Sequence, residues 1–124
     1  MPQDQAGREE ERFAADELLE RVDGDTELLQ EVVAIYLEDT PTVIASLKEN
    51  LSQNSTDAAA KAAHTLKGAS ANVSARRLYR KASELEALAR NGDLEGARRL
   101  CKDVEEEFAA LEIRFAAYLG DADG

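Results

Sequence analysis

The stretch AAHTLKGASANVSARRLYRKASELE, residues 62–86, contains two helical periods that meet at a turn. On its first side, Ala59, Ala62, Ala63, Leu66, Ala69, Ser70 and Val73 recur at three- and four-residue steps, which predicts a helix over about 56–72. On its second side, Leu78, Ala82, Leu85, Leu88 and Ala89 do the same, and Asn91-Gly92 ends the period. Asn72-Val73-Ser74 reads as a tight turn between them, with Ser74 able to cap the second helix. A turn this short makes the two helices antiparallel neighbours.

The same pattern extends in both directions. Upstream, Leu28/Leu29, Val32/Val33, Ile35/Tyr36, Val43/Ile44, Leu47 and Leu51 form a long apolar stripe behind an Asp25 cap. Pro41 interrupts it, so residues 26–53 are either one kinked helix or two abutting ones, the second starting at Thr40-Pro41. A shorter amphipathic helix is expected from Glu9 to Val22, marked by Phe13, Leu18, Leu19 and Val22. Downstream, Asp93 caps a helix carrying Leu94, Ala97, Leu100, Cys101, Val104, Phe108, Leu111, Phe115 and Tyr118. The expected fold is all-α: an up-down antiparallel four-helix bundle with an additional short N-terminal helix. It is a single domain over residues 1–124, with a core of about 16–119 and frayed termini at 1–8 and 120–124.

Composition narrows the function. A formal net charge of −11 repels phosphate backbones and anionic lipid, so neither nucleic acid nor membrane is expected as a partner. The one cysteine, Cys101, cannot form an internal disulfide and reads as a small core residue. No apolar run approaches membrane-spanning length. Met1-Pro2 reads as a start without a targeting leader, and a cytoplasmic location is expected.

His64 is the only histidine. Each helical residue turns about 100°, which places it nearly opposite Leu66 and therefore away from the core. Its face is shared with Lys61, Lys67, Gly68 and Ala71. Gly68 costs a helix interior about 1 kcal/mol relative to alanine. An absent side chain one turn from the imidazole leaves room for another molecule to approach. Between Asp57 and Glu84 there is no acid, whereas Lys61, Lys67, Arg76, Arg77, Arg80 and Lys81 all fall there. An acidic chain thus keeps a cationic patch around one imidazole.

Several chemistries lack their parts. No nucleophile–base pair stands beside His64, zinc would need more ligands, and LKGAS lacks the spacing of a phosphate-binding loop. A neutral imidazole can still accept a phosphoryl group, and Lys67 can offset its charge.

Residues 62–86 resemble the histidine-containing phosphotransfer (HPt) domain. That family's pattern is histidine, any residue, leucine, lysine, glycine, any residue, serine, then a turn and a leucine-glutamate on the next helix. Residues 24–51, with their internal proline, look like the family's earlier helices, and the resemblance spans roughly 16–115. It implies that His64 takes a phosphoryl group from a receiver-domain aspartate and returns it to another receiver. It further implies that Lys67 contacts the phosphoryl group and that Gly68 is kept open for the receiver. Glu86 falls where some members hydrogen-bond the histidine's second nitrogen, and an i,i+4 pair with Arg90 is the competing use of that carboxylate. Ser70 matches a family serine, while its place in the stripe indicates packing. Ser74 departs from the glycine the family often has there.

On this resemblance the chain is a stoichiometric phosphocarrier without an ATP site, not an enzyme in the hydrolytic sense. No cofactor and no metal are expected on it; the magnesium ion belongs to the receiver. Partners would be receiver domains, a hybrid histidine kinase, or both, docking over Lys61 and Ala71, with the chain a monomer. The alternative is a helical adaptor that binds receivers without carrying phosphate.

Overall fold

The computed structural model describes residues 12–123. Among them there are five helices and no strand: α1 (Ala15–Arg21), α2 (Thr26–Ser52), α3 (Thr56–Asn72), α4 (Arg76–Arg90) and α5 (Leu94–Asp123). The four longer helices contact in a ring, α2 on α3, α3 on α4, α4 on α5 and α5 back on α2, while α1 leans on α2.

α2 is one helix through Pro41. Proline removes one backbone donor, yet the buried row Leu29, Val33, Tyr36, Thr40, Ile44, Leu47 and Leu51 runs on without a break. Burying each such leucine or isoleucine contributes about 1.5–3 kcal/mol, so packing outweighs the lost hydrogen bond. At its start, the Asp25 carboxylate accepts from the backbone N–H of Glu27 and of Leu28, both at 3.1 Å, as the cap requires.

The helix ends share one device. After α1, α2, α3 and α4 the chain enters the left-handed region at Asp23, Asn54, Ser74 and Gly92. In each case the next two amides bond back to the last turn: after α3, Ser74 N–H to Ala71 O (3.1 Å) and Ala75 N–H to Ser70 O (2.9 Å). Ser74 is therefore not the cap of α4. It closes α3 at φ +55°, and Ala75 occupies the capping position without a side-chain bond. The left-handed conformation explains why glycine suits this position. Serine there carries a cost of about 1–2 kcal/mol, offset by a 3.1 Å hydrogen bond that its Oγ accepts from Arg21 Nε.

The N-terminal segment also differs from expectation. In the described part of the helix anticipated from Glu9, residues 12–14 are not helical and the helix starts at Ala15; residues 9–11 and the expected frayed stretch 1–8 lie outside the described residues. Phe13 is drawn into the core, 4.4 Å from the Phe115 ring and 5.2 Å from that of Tyr118. Ala14 N–H donates to Ser74 O at 2.9 Å. These contacts hold residues 12–14 out of a helix. At the other end α5 continues to Asp123, past the point at 119 where fraying was expected, and Gly124 lies outside the described residues. Cys101 is buried, and burial pushes its thiol up to about 11.

Candidate functional site

His64 stands on the outer side of α3 with 64% of its side chain exposed. Leu66, two residues on, is fully buried, as the periodicity demands. A Cβ added to Gly68 would meet nothing within 4 Å. Lys61 is exposed and Ala71 half-buried beside it. Of the face expected around the imidazole, His64, Lys61 and Gly68 are exposed, while Lys67 and Ala71 are half-buried.

Glu86 comes from α4, 22 residues away, and lies across from the imidazole because the α3–α4 turn is short. Its side chain is only 10% exposed, and both oxygens are engaged. Oε1 is 2.9 Å from Lys67 Nζ. Oε2 is 3.2 Å from His64 Nδ1 and accepts from Arg90 Nη2 at 2.8 Å and Arg90 Nε at 3.1 Å. The two competing uses of Glu86 are thus both realised. Bonding to Lys67 above all, then to Arg90 and His64, outweighs burial and holds the Glu86 carboxyl down to about 2. An ionised carboxylate only accepts, so the proton of this contact resides on Nδ1, and in the neutral ring that tautomer leaves Nε2 with its lone pair.

Lys67 differs from the picture of a cation waiting for phosphate. It is 26% exposed and already paired. The cationic patch is also less uniform than the sequence indicates. Arg76 Nη2 lies 3.5 Å from Glu17, and Arg77 Nη1 lies 3.9 Å from the buried Glu107 on α5, which Arg12 approaches at 3.3 Å. Ser70 packs as its stripe position implies, fully buried with its Oγ 2.9 Å from the Tyr36 hydroxyl.

Sequence reasoning missed an apolar groove between α2 and α3. Val32, Ile35 and Val43 line it from α2, and Thr65, Ala69 and Asn72 from α3. Ile35 is 58% exposed and Leu28 also faces outward. The signal was in the doubled apolar positions of α2: Leu29, Val33 and Tyr36 are buried, and their partners Leu28, Val32 and Ile35 form a second row that one core does not need. Thr65, one of the residues lining the groove, is the one that follows His64 in sequence.

The depressed Glu86 value carries a pH prediction. Relative to an ordinary carboxyl near 4.5, its ionised form stabilises the folded chain at all pH above 4.5, and that contribution disappears as pH falls through about 2. Urea unfolding at pH 4.5 and pH 2 should show a loss in the wild type on the order of 2–3 kcal/mol greater than in Glu86→Gln.

The site is thus an exposed imidazole, held by a carboxylate, on an all-helical scaffold. The Hpt domain family model matches residues 31–113, and the chain belongs to that family. The crystal structure of histidine-containing phosphotransfer protein B (HptB) from Pseudomonas aeruginosa PAO1 is similar at a TM-score of 0.82 and 26% identity, over 89% of this chain and 96% of that one. No curated protein matches the sequence. The role of the chain is phosphotransfer in a phosphorelay, as a phosphocarrier and not a classical enzyme. Proteins of this family work with receiver domains and kinases. Among the described residues no helix is long and apolar enough to cross a membrane, and no group of three or more histidine, cysteine or acidic residues could hold a metal ion.

Proposed function

We propose that His64 carries the phosphoryl group, on Nε2. The observation that supports this best is the contact between Nδ1 and the ionised Glu86, 3.2 Å, beside the open space at Gly68. With the proton on Nδ1, the Nε2 lone pair attacks the phosphorus of a receiver's aspartyl phosphate. The P–N bond forms as the acyl P–O bond breaks, and that electron pair returns to the aspartate carboxylate. No proton needs to leave Nε2. The ring gains positive charge, which the neighbouring Glu86 carboxylate favours. Lys67 offsets the phosphoryl charge, and the reverse attack by a second receiver's carboxylate discharges the ring. Magnesium is supplied by the receiver, and this chain needs neither ATP nor a metal of its own.

The four longer helices act as an up-down bundle, with α1 as the added N-terminal helix, that presents one outer face to its partner. Receivers dock over Lys61 and Ala71 and along the apolar groove at Ile35. The chain works as a monomer in the cytoplasm.

Because His64 is the only histidine, any phosphohistidine reports on it alone. Incubation with a phosphorylated receiver should yield an acid-labile, base-stable label and a 31P resonance coupled to the Nε2 nitrogen. A chain that binds the phosphorylated receiver but never takes label would be a docking adaptor instead.

A further inference from the structure

Lys67 has two calls on one ammonium group. In the unphosphorylated chain it sits 2.9 Å from Glu86 Oε1. A phosphoryl group on Nε2 brings roughly −1.5 to −2 charges on the phosphoamino-acid scale, more than one carboxylate offers. Lys67 then has reason to leave. Its departure strips Oε1 of its partner, and Oε1 belongs to a nearly buried carboxylate, where an unpaired charge is costly.

Arg90 has the means to cover that loss. Its Nε and Nη2 form the side-on fork that matches the two oxygens of a carboxylate. Here both donors crowd onto Oε2, at 3.1 and 2.8 Å, because Oε1 is taken by Lys67. A small rotation of the carboxylate lets the fork straddle both oxygens once Lys67 has gone. Glu86 precedes Arg90 by one turn on α4, the favourable order for such a pair. Arg90 is 58% exposed, so its guanidinium has room to follow.

We infer that Arg90 is a positioning residue for phosphotransfer: it keeps Glu86 anchored to the His64 ring when Lys67 moves from Glu86 to the phosphoryl group. Lys67 therefore has two positions and Arg90 one partner. This rests on His64 being the acceptor. Arg90 itself does not touch the phosphoryl group, and its value to the reaction depends on the Glu86 carboxylate that it holds.

A double-mutant cycle tests that dependence. Full-length chains are charged with phosphoramidate, whose P–N bond breaks as Nε2 attacks, ammonia leaving with a proton from water. The initial rate of acid-labile phosphohistidine formation is read for wild type, Arg90→Ala, Glu86→Gln and the double variant. Arg90→Ala should charge ~10-fold more slowly, as expected for one partly screened charge-assisted bond. Arg90→Lys, which keeps charge but not the fork, should fall between. In the Glu86→Gln background the same Arg90 substitution should change the rate by no more than about twofold, because no carboxylate is left for Arg90 to anchor. Nitrogen spectra of uncharged Arg90→Ala should still show the proton on Nδ1, with Lys67 holding Glu86, which a merely structural role for Arg90 does not require. A wild-type rate in Arg90→Ala, or an equal Arg90 effect with and without the Glu86 carboxylate, overturns the inference, the second by placing Arg90 on the phosphoryl group itself. A wild-type chain that is never charged sinks the acceptor assignment, and this inference with it.

Discussion

His64→Gln should fold as the wild type does and accept no phosphoryl group from any donor. The first half follows from where the ring sits. Most of its side chain faces solvent, and exposed substitutions usually change stability by less than about 0.5 kcal/mol. The glutamine amide can still donate to Glu86, so the buried carboxylate keeps a partner. The second half follows from chemistry. An amide nitrogen has its lone pair in the carbonyl π-system and is no nucleophile at neutral pH, and the chain has no other imidazole. Melting curves that coincide, with label absent from the variant under conditions that saturate the wild type, are the expected pair of results. Label retained by the variant would place the acceptor elsewhere.

Gly68→Gln should separate stability from function in the opposite sense. Glycine in a helix interior is destabilising, and no neighbouring atom lies within 4 Å of an added Cβ. The substitution should therefore stabilise the chain by about 0.5–1 kcal/mol. Yet the new side chain occupies the space one helical turn from the imidazole, where a receiver must bring its phosphate to about 3–3.5 Å from Nε2. Transfer from a phosphorylated receiver should fall by on the order of 100-fold, since a displacement of about 1 Å already costs that much. Phosphoramidate, a far smaller donor, should lose much less. Urea midpoints together with the two transfer rates check all three statements. Equal losses with both donors would mean that Gly68 serves the imidazole's geometry rather than the approach of a protein.

How much of this could be read from the chain beforehand depends on whether the signal was local. The exposure of His64 followed from the single stripe Ala59–Leu66–Val73, because a helical period leaves no freedom about which face is buried. Pro41 could not be resolved from sequence alone: the local rule said break, and only the continuous buried row of α2 overrides it. Ser74 looked like a cap because serine caps helices, but the decisive fact was the backbone φ of +55°, which the closing hydrogen bonds of α3 impose. Phe13 belonged to a helix by periodicity and left it for contacts with Phe115 and Tyr118, more than 100 residues away in the chain. At the site, His64, Lys67 and Gly68 were legible as one face. Glu86 was legible only as a choice between two partners, since a carboxylate that accepts from both at once is a matter of distances. The engagement of Lys67 by Glu86 was hidden, because it joins two helices whose register no single period states.

Glu86, which contacts the imidazole, and its partners Lys67 and Arg90 lie within one helical hairpin, α3 and α4, while the outward apolar row Leu28, Val32 and Ile35 lies on α2. On the docking proposed above, part of the recognition surface therefore lies on a segment that holds none of the reactive groups. Substitutions along α2 can retune which signalling circuit the molecule joins while the reactive ring, its counter-ion and its gap stay as they are. A scaffold divided in this way can be rewired between pathways without rebuilding its reaction centre.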